Sequence, residues 1–310
     1  MPARGVRVHW EDVPAAVRSA IEQRSGARVV EAKTQPHGFS PGLAARLRLD
    51  DGRRVFVKAV SEAANPDTPD IHRREAQVLA AMPSAIPAPR LLWLYDSRGW
   101  VALGLEDIDG RHPNEPWTDA DLSLVVEAAK RMAGDLTPSP IKVERTASRA
   151  FATDIKGWGA ALERREERLG EWALRNLSRL AELESQAPGA AEGDTLLQFD
   201  MRADNILIAA DGVHFVDWPW ARTGAWWIDL VLMAPSVAMQ EGPPPERFLE
   251  RIGLTDVPPQ GVDAVICAMA GYFVVRALEP PPPGIPTVRA FQAAQGRVAI
   301  AWLRRRLGWS

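Results

Sequence analysis

Four residues with oxygen-bearing side chains lie close together in the segment LLQFDMRADNILIAADGVHFVDW, residues 196–218. They are Asp200, Asp204, Asn205 and Asp217, and they flank two apolar runs that are joined by a tight Asp-Gly turn. Carboxylates are costly near an apolar core unless another group pairs with them. This spacing therefore indicates a site for a metal ion, a proton or only water.

A further carboxylate is predicted to lie on an apolar helix face. In the segment DIHRREAQVLAAM, Glu75 falls within about 60° of the stripe that contains Ile71 and Val78. A carboxylate in such a stripe needs a cation, and Lys58 at the end of the strand VFVK is a candidate partner. The alternative is that Glu75 reaches its neighbour Arg74 or the solvent.

Composition limits the class of protein. A chain of 310 residues with 46% hydrophobic and 25% charged residues suits a soluble protein of two lobes. The formal charge of -3 gives no basic footprint for nucleic acid, and no apolar stretch is long enough for a membrane span. The single cysteine, Cys267, excludes an internal disulfide, so we expect a cytoplasmic protein. The scattered histidines lack the spacing of a zinc site.

The elements that would position these residues divide the chain into two parts. The first hundred residues read as mixed α and β: a short helix in VPAAVRSAIEQRSG, a strand hairpin in ARLRLDDGRRVFVKAV, the helix DIHRREAQVLAAM and a strand pair in RLLWLYDSRGWVALGLEDI. The remainder reads as mostly helical apart from the hairpin quoted above. Helices are predicted at 119–135, 146–186 with internal breaks, 225–240, 244–252, 261–278 and 286–307.

These segments resemble a known family. QFDMRADNILI followed by VHFVDW is similar to the His-Gly-Asp-x-x-x-x-Asn catalytic loop and the metal-binding aspartate of the aminoglycoside phosphotransferase group, which has the protein-kinase-like fold. HGFSPGLAARLRL stands where the nucleotide-covering loop belongs, ALGLEDIDG resembles the hinge, and GAWWIDL resembles the segment that braces the catalytic loop. The resemblance implies an α+β fold of two lobes: a small β-rich lobe at 1–105, a hinge at 106–110 and a larger helical lobe at 111–310.

The resemblance also implies roles for individual residues. The implied site consists of Asp200 and Arg202 for catalysis; Gly38, Ser40, Gly42, Lys58, Glu75, Glu106, Asp107 and Ile108 for the nucleotide; Asn205 and Asp217 for Mg²⁺; and Gln198 and Asp229 as structural support. The nucleotide would be ATP or GTP. Arg202 is expected to face the γ-phosphate in preference to lying on the surface, whereas Asp204 is expected to be an exposed loop residue or a brace of the loop.

Several positions depart from the family pattern. Gln198 replaces the histidine of the catalytic loop, and Phe199 replaces the glycine. A glutamine can also make hydrogen bonds that orient the loop, so we expect function to be kept. The sequence Trp218-Pro219-Trp220 lacks the second acidic residue that many relatives carry two positions after the metal aspartate. A second metal ion would therefore be held differently or be absent.

The predicted function is transfer of the γ-phosphoryl group to a hydroxyl of a small molecule, either an antibiotic or a metabolite. The alternative is a catalytically silent nucleotide-binding scaffold, which the retained lysine and carboxylates argue against. A kinase acting on proteins is disfavoured, because only eleven residues separate Asp217 from Asp229, too few for an activation segment.

The predicted acceptor is neutral or weakly charged and carries a ring. Arginines outnumber carboxylates from Trp218 to the end of the sequence, which is unlike a site for polycations. Trp218 and Trp220 are expected to face the cleft and contact this acceptor, whereas Trp226 and Trp227 are expected to fill the core. We expect no nucleic-acid or membrane partner, and both a monomer and a homodimer are compatible with the sequence.

Overall fold

The N-terminal part is an antiparallel sheet with a helix on each face. The computed structural model describes residues 6–36, 38–39 and 41–310. A 3-10 turn at Trp10–Asp12 comes first, and the order of the sheet is β1-β2-β3-β5-β4. The elements are α1 (Ala15–Ser25), β1 (Val29–Thr34), β2 (Leu43–Leu49), β3 (Arg54–Ser61), α2 (Thr68–Ala81), β4 (Leu91–Ser97) and β5 (Trp100–Glu106).

Both predicted strand pairs and both predicted helices are confirmed, whereas β1 was not predicted. This strand pairs only with β2 and lies at the edge of the sheet. Its residues alternate irregularly between half-buried and exposed positions. An edge strand needs little buried apolar surface, so its sequence carries a weak periodic signal.

The pleat of β3 determines which side chains reach the cleft. Val55, Val57 and Ala59 are buried in the core beneath α1. Because successive side chains point to opposite faces of a strand, Phe56 and Lys58 point to the other face.

The C-terminal part is mainly helical. Its helices are α3 (Asp119–Asp135), α4 (Ala147–Thr153), α5 (Trp158–Arg164), α6 (Glu171–Arg175), α7 (Leu177–Glu184), α8 (Ala187–Ala190), α9 (Ile228–Met239), α10 (Pro245–Ile252), α11 (Pro259–Arg276) and α12 (Val288–Leu307). Its short strands are β6 (Gly110–Arg111), β7 (Thr195–Leu197), β8 (Ile206–Ala209), β9 (Gly212–Phe215) and β10 (Arg222–Gly224). The predicted two-lobed α+β architecture is confirmed. The division at 105/106 and 110/111 stays a prediction.

The predicted helical region 146–186 consists of short helices, α4 to α7, and α8 follows it. Close packing explains one break: a Cβ at Gly157 would lie 2.1 Å from the carbonyl oxygen of Gly271 in α11. The buried carboxylate of Glu184 accepts hydrogen bonds from the backbone N–H groups of Gly157 (2.6 Å) and Gly159 (2.9 Å), which fixes the start of α5.

One large core runs through the helical part and continues between α2 and the sheet, and a smaller core lies beneath α1. The larger core includes Leu103 and Leu105 of β5 together with Val78 and Leu79 of α2, so it joins the two parts of the molecule. Among the residues that the structure describes, no helix combines the length and apolar character that crossing a bilayer requires.

Candidate active site

A half-buried lysine contacts two carboxylates from different parts of the chain. Lys58 Nζ donates to Glu75 Oε1 and Oε2, at 2.7 and 2.8 Å, and to Asp217 Oδ1, at 2.6 Å. Burial opposes the charge of this lysine, but Asp217 and Glu75 together raise the pKa of Lys58 to about 12. The predicted pair of Lys58 with Glu75 is confirmed, and the alternatives for Glu75 are excluded because its side chain is 1% exposed.

The segment after β7 is held from below by Asp229 near the start of α9. The backbone N–H groups of Gln198 and Phe199 each donate to the Asp229 carboxylate at 2.8 Å. Burial raises the pKa of Asp229 to about 6, against the effect of these hydrogen bonds. Phe199 has a φ of 66°, a left-handed conformation that glycine adopts more readily, which matches the glycine of the family at this position. The predicted bracing contact is confirmed.

The side chain of Gln198 connects the segment after β7 with the segment after β9. Its Nε2 donates to the carbonyl oxygens of Val216 (3.0 Å) and Asp217 (2.8 Å), and its Oε1 accepts from the backbone N–H of Asp200 (2.8 Å). The glutamine therefore makes loop-orienting hydrogen bonds, as expected for a substitute of the family histidine.

Asp200 is fixed by a cation and an amide. Its Oδ1 accepts from Arg202 Nη1 at 2.8 Å, and Asn205 Nδ2 donates to its backbone oxygen (2.8 Å) and to Oδ2 (3.2 Å). Burial raises the pKa of Asp200 to about 7, although Arg202 opposes that shift. A carboxylate that titrates near neutral pH is suited to take up a proton.

Arg202 also pairs with Asp204, whose carboxylate accepts from Nε at 3.0 Å and from Nη2 at 3.1 Å. The side chains of Arg202 and Asp204 are only 15% and 18% exposed. The surface alternatives for both residues are therefore wrong. Asp204 braces the loop by fixing the arginine that contacts Asp200.

The first of two cavities, the sheet-side cavity, lies between the sheet and the segment that contains Asn205 and Asp217, and its volume is about 220 Å³. Lys58, His72 and the connector after β5 complete its lining. The predicted connector residues Glu106, Asp107 and Ile108 all line it, and the cavity is partly open to solvent.

Arginines on the sheet hold this connector in place. The carboxylate of Asp107 is 3% exposed and accepts from Arg46 Nε at 2.6 Å, and Arg54 Nε lies 3.2 Å from it. These ion pairs fix the backbone that faces the cavity. Neither arginine was predicted, although both occupy regular positions of the predicted strand hairpin.

The predicted glycine loop is only partly placed. Gly38 lines the sheet-side cavity, whereas Ser40 falls outside the residues that the structure describes. Gly42 does not line this cavity. Its φ of 102° requires a glycine, and a Cβ at this position would lie only 2.4 Å from the carbonyl oxygen of Ala59, so Gly42 shapes the start of β2.

Asn205 and Asp217 present oxygen atoms on one wall of the sheet-side cavity. Asn205 Nδ2 donates a hydrogen bond to Asp200, and Asp217 Oδ1 accepts one from Lys58. The remaining oxygens, Asn205 Oδ1 and Asp217 Oδ2, are therefore left for a cation. Oxygen donors suit Mg²⁺, which binds through one or two protein groups, phosphates and water. No cluster of three His, Cys, Asp or Glu side chains with metal-binding geometry occurs in the described part of the chain.

The second cavity, the helix-side cavity, has a volume of about 580 Å³ and lies between the segment 199–202 and helices α11 and α12. Asp200, Asp217, Phe199 and Trp220 line it. Asp217 therefore borders both cavities.

The prediction that Trp218 faces the cleft is wrong. Its side chain is 0% exposed and Nε1 donates to the carbonyl oxygen of Phe215 at 2.7 Å. Asp217 has a φ of 65°, and this left-handed turn sends the following residue into the core. Trp220 does line the helix-side cavity, whereas Trp227 is buried in the core as predicted and Trp226 is half-buried against it.

The sequence matches the profile of the phosphotransferase enzyme family (APH) over residues 37–259, which is more than half of the chain. The chain belongs to the phosphotransferase enzyme family. The family resemblance inferred from the motifs is thereby confirmed. No protein with a curated description matches the sequence.

Solved structures of phosphotransferases share the fold at low identity. A thermostable mutant of the aminoglycoside phosphotransferase APH(4)-Ia, in a ternary complex with ADP and hygromycin B, superimposes with a TM-score of 0.63 at 13% identity, over 94% of this chain and 98% of that chain. A candidate fructosamine-3-kinase from Thermobifida fusca YX-ER1 superimposes with a TM-score of 0.59 at 17% identity, over 92% of this chain and 99% of that chain. The aminoglycoside-3'-phosphotransferase of type VIII superimposes with a TM-score of 0.55 at 21% identity, over 82% of this chain and 97% of that chain. Likeness at these identities establishes the fold alone.

Proposed function

We propose that this phosphotransferase moves the γ-phosphoryl group of ATP or GTP to a hydroxyl group of a small molecule. The observation that carries the proposal is the position of Asp217, which borders both cavities, contacts Lys58 on one side and shares the helix-side cavity with Asp200 on the other. The nucleotide would occupy the sheet-side cavity and the acceptor the helix-side cavity. The related complex with ADP and hygromycin B supports a site of this kind.

On the nucleotide side, the backbone from 106 to 108 would contact the base, and the segment around Gly38 would cover the phosphates. Lys58 would contact the α- and β-phosphates in the orientation that Glu75 fixes. Asn205 and Asp217 would hold Mg²⁺, which supplies positive charge beside the phosphates.

On the acceptor side, Asp200 would accept the proton of the attacking hydroxyl. The acceptor oxygen forms a bond to the γ-phosphorus while the bond to the β-phosphate oxygen breaks, so the products are a phosphate ester and the nucleoside diphosphate. Arg202, which is held against Asp200 and Asp204, would stabilise the negative charge on the transferred group. The contacts among these residues disfavour the alternative of a silent scaffold. The single cysteine, Cys267, is a buried free thiol, which supports the proposal that the protein functions in a reducing cytoplasm.

The test is a screen of nucleoside-diphosphate formation with a panel of hydroxylated metabolites and antibiotics, followed by Asp200→Asn. The asparagine keeps the shape but cannot take up a proton, so turnover should fall by roughly 10²–10⁴-fold. Binding of Mg²⁺ with the non-hydrolysable analogue AMP-PNP should stay close to that of the unsubstituted protein. Near-normal turnover by Asp200→Asn would refute the role of Asp200, and the absence of transfer across the whole panel would refute the proposal.

A further inference from the structure

Three arginines from distant parts of the chain meet around Pro219 and Trp220. The guanidinium of Arg74, from α2, lies 5.3 Å from the centroid of the Trp220 ring. Arg145 Nη1 donates to the carbonyl oxygen of Pro219 at 3.2 Å. Arg222 Nε, at the start of β10, donates to the carbonyl oxygen of Trp220 at 3.0 Å.

These three arginines have no carboxylate partner. No Asp or Glu oxygen of the described residues lies within 4.0 Å of their guanidinium groups, whereas Arg202 is paired with Asp200, and Arg46 of the sheet is paired with Asp107 of the connector. Burial lowers the pKa of Arg222 to about 10, and the charge of Arg145 acts in the same direction. Burial and the charge of Arg145 also lower the pKa of Arg74. Arg222 is buried, and Arg74 and Arg145 are half-buried. A desolvated cation without an ion-pair partner is destabilising, so the cluster is poised to take up an anion.

Arg222 is the member of the cluster that lines the helix-side cavity. It is 7% exposed, and its guanidinium stacks 4.0 Å from the centroid of the Phe199 ring, which holds it in one orientation. Its Nε is used by Trp220, and the terminal nitrogens remain as donors with the planar geometry that matches an oxyanion.

The other charged groups of this cavity do not neutralise the cluster. The charges of the exposed Asp154, which lines the cavity, and of the buried Asp229 both raise the pKa of Arg222, but neither carboxylate makes an ion pair with it. Arg276 and Arg289 share a single carboxylate, that of Glu279, at 3.0 and 3.1 Å. Besides Asp200 and Asp217, Asp154 is the one carboxylate among the described lining residues, and four arginines line the same cavity: Arg202, Arg222, Arg276 and Arg289. Arginines therefore outnumber carboxylates in the wall, which disfavours a polycationic acceptor.

Resting on the proposed function, we propose that the acceptor carries an oxyanionic group, a carboxylate or a phosphate, that binds at Arg222 with support from Arg74. The aromatic rings of Phe199 and Trp220 line the same cavity and suit an apolar or cyclic part of the acceptor. Its hydroxyl group then points to Asp200. This inference keeps the ring predicted from the sequence but replaces the predicted neutral or weakly charged acceptor by an anionic one.

The first test uses inorganic phosphate as the probe. The nucleotide site is first filled with saturating Mg²⁺ and AMP-PNP, and thermal unfolding is followed as phosphate is added at an ionic strength held constant with sodium chloride. The apparent affinity for phosphate should fall about tenfold or more in Arg222→Met, which keeps an apolar stem against Phe199. In Arg74→Gln the affinity should fall several-fold, because Arg74 is half-buried and only supports the site. The control Arg175→Gln, which removes an exposed ion pair with Glu171, should bind phosphate like the unsubstituted protein.

An absent phosphate-specific shift, or equal affinity in the unsubstituted protein and Arg74→Gln, would overturn the proposal even if Arg222→Met failed to fold. The stabilisation by AMP-PNP alone reports separately on the nucleotide site, so a failed anion site and a failed phosphotransferase assignment give different results.

The second test compares hydroxy acids with their methyl esters as acceptors. The acids should be phosphorylated with the lower KM, and Arg74→Gln should raise that KM with little change in kcat. Transfer that prefers the esters, or that prefers polycationic aminoglycosides, would overturn the proposal while leaving the phosphotransferase assignment intact.

Discussion

Replacing Gln198 by leucine should damage both the stability and the nucleotide site. The side chain is 1% exposed, and the change removes its bonds to the carbonyl oxygens of Val216 and Asp217 and to the N–H of Asp200. A polar group that loses its partner while buried costs about 1–3 kcal/mol. Because water in the cleft can reach part of these partners, the low end applies, which gives roughly 3 kcal/mol for the three.

The expected change in melting temperature follows from the size of the protein. With an unfolding entropy of about 2.1 cal/mol/K per residue, a chain of this length loses roughly 5 °C for a destabilisation of about 3 kcal/mol. The second effect is on Asp217, whose main chain Gln198 holds. Loss of a group that supports a metal ligand typically weakens binding about 10–100-fold, so Mg²⁺-dependent AMP-PNP binding should weaken by at least the lower figure.

Thermal unfolding and calorimetric titration with AMP-PNP, with and without Mg²⁺, measure both effects. Gln295→Leu is a matched control, because Gln295 is 2% exposed and its Oε1 has no hydrogen-bond partner among the described residues. That control should unfold within about 1 kcal/mol of the unsubstituted protein. Gln198→His, which keeps a donor and an acceptor, should be tolerated. If Gln198→Leu matched the control in both measurements, the hydrogen bonds of Gln198 would not organise the site.

Three further predictions concern charged groups. Lys58→Met leaves the buried carboxylate of Glu75 without a cation, so it should lower the free energy of unfolding by about 3–5 kcal/mol. It should also reduce the stabilisation that Mg²⁺ and AMP-PNP give in thermal unfolding. Equal stabilisation of the variant and the unsubstituted protein would contradict this prediction. Burial raises the pKa of Asp200 to about 7, so kcat/KM should fall as the pH drops through about 7. Because Arg202 lowers that pKa, the inflection of the pH profile should move to higher pH in Arg202→Gln. An inflection that stays in place or moves to lower pH would refute the assignment of Asp200. Glu184→Gln should lower the stability in urea by about 1–2 kcal/mol, because an amide oxygen replaces a carboxylate that accepts three backbone N–H bonds at the start of α5; an unchanged midpoint would show that the contact is not needed.

The sequence by itself determined the features that depend on short stretches of chain. The face of a helix follows from a local period, so the pattern around Glu75 was sufficient to place this carboxylate on an apolar face and to make Lys58 a candidate partner. The local pattern alone left a contact with Arg74 or the solvent as the alternative. Asp200, Asn205 and Asp217 are close in sequence, and the turn between β8 and β9 must bring them together. The order of these segments along the chain, compared with the family pattern, then predicted the two-lobed fold.

Only the tertiary structure decided the orientation of residues where the backbone leaves a regular period. Trp218 and Trp220 have the same type and nearly the same position, but the left-handed conformation of Asp217 turns the first into the core and leaves the second at the cavity. No local period encodes such a turn, so the sequence could not separate the two indoles.

The charge of the helix-side cavity was likewise decided by packing. Arg74, Arg145 and Arg222 come from a helix, a loop and a strand that are far apart in sequence, and their meeting around Trp220 follows from how these elements dock. The sequence determined how many charges the chain carries. Which of them remain unpaired depends on distances of a few ångströms between elements, and these are set when the side chains of the whole core fit together.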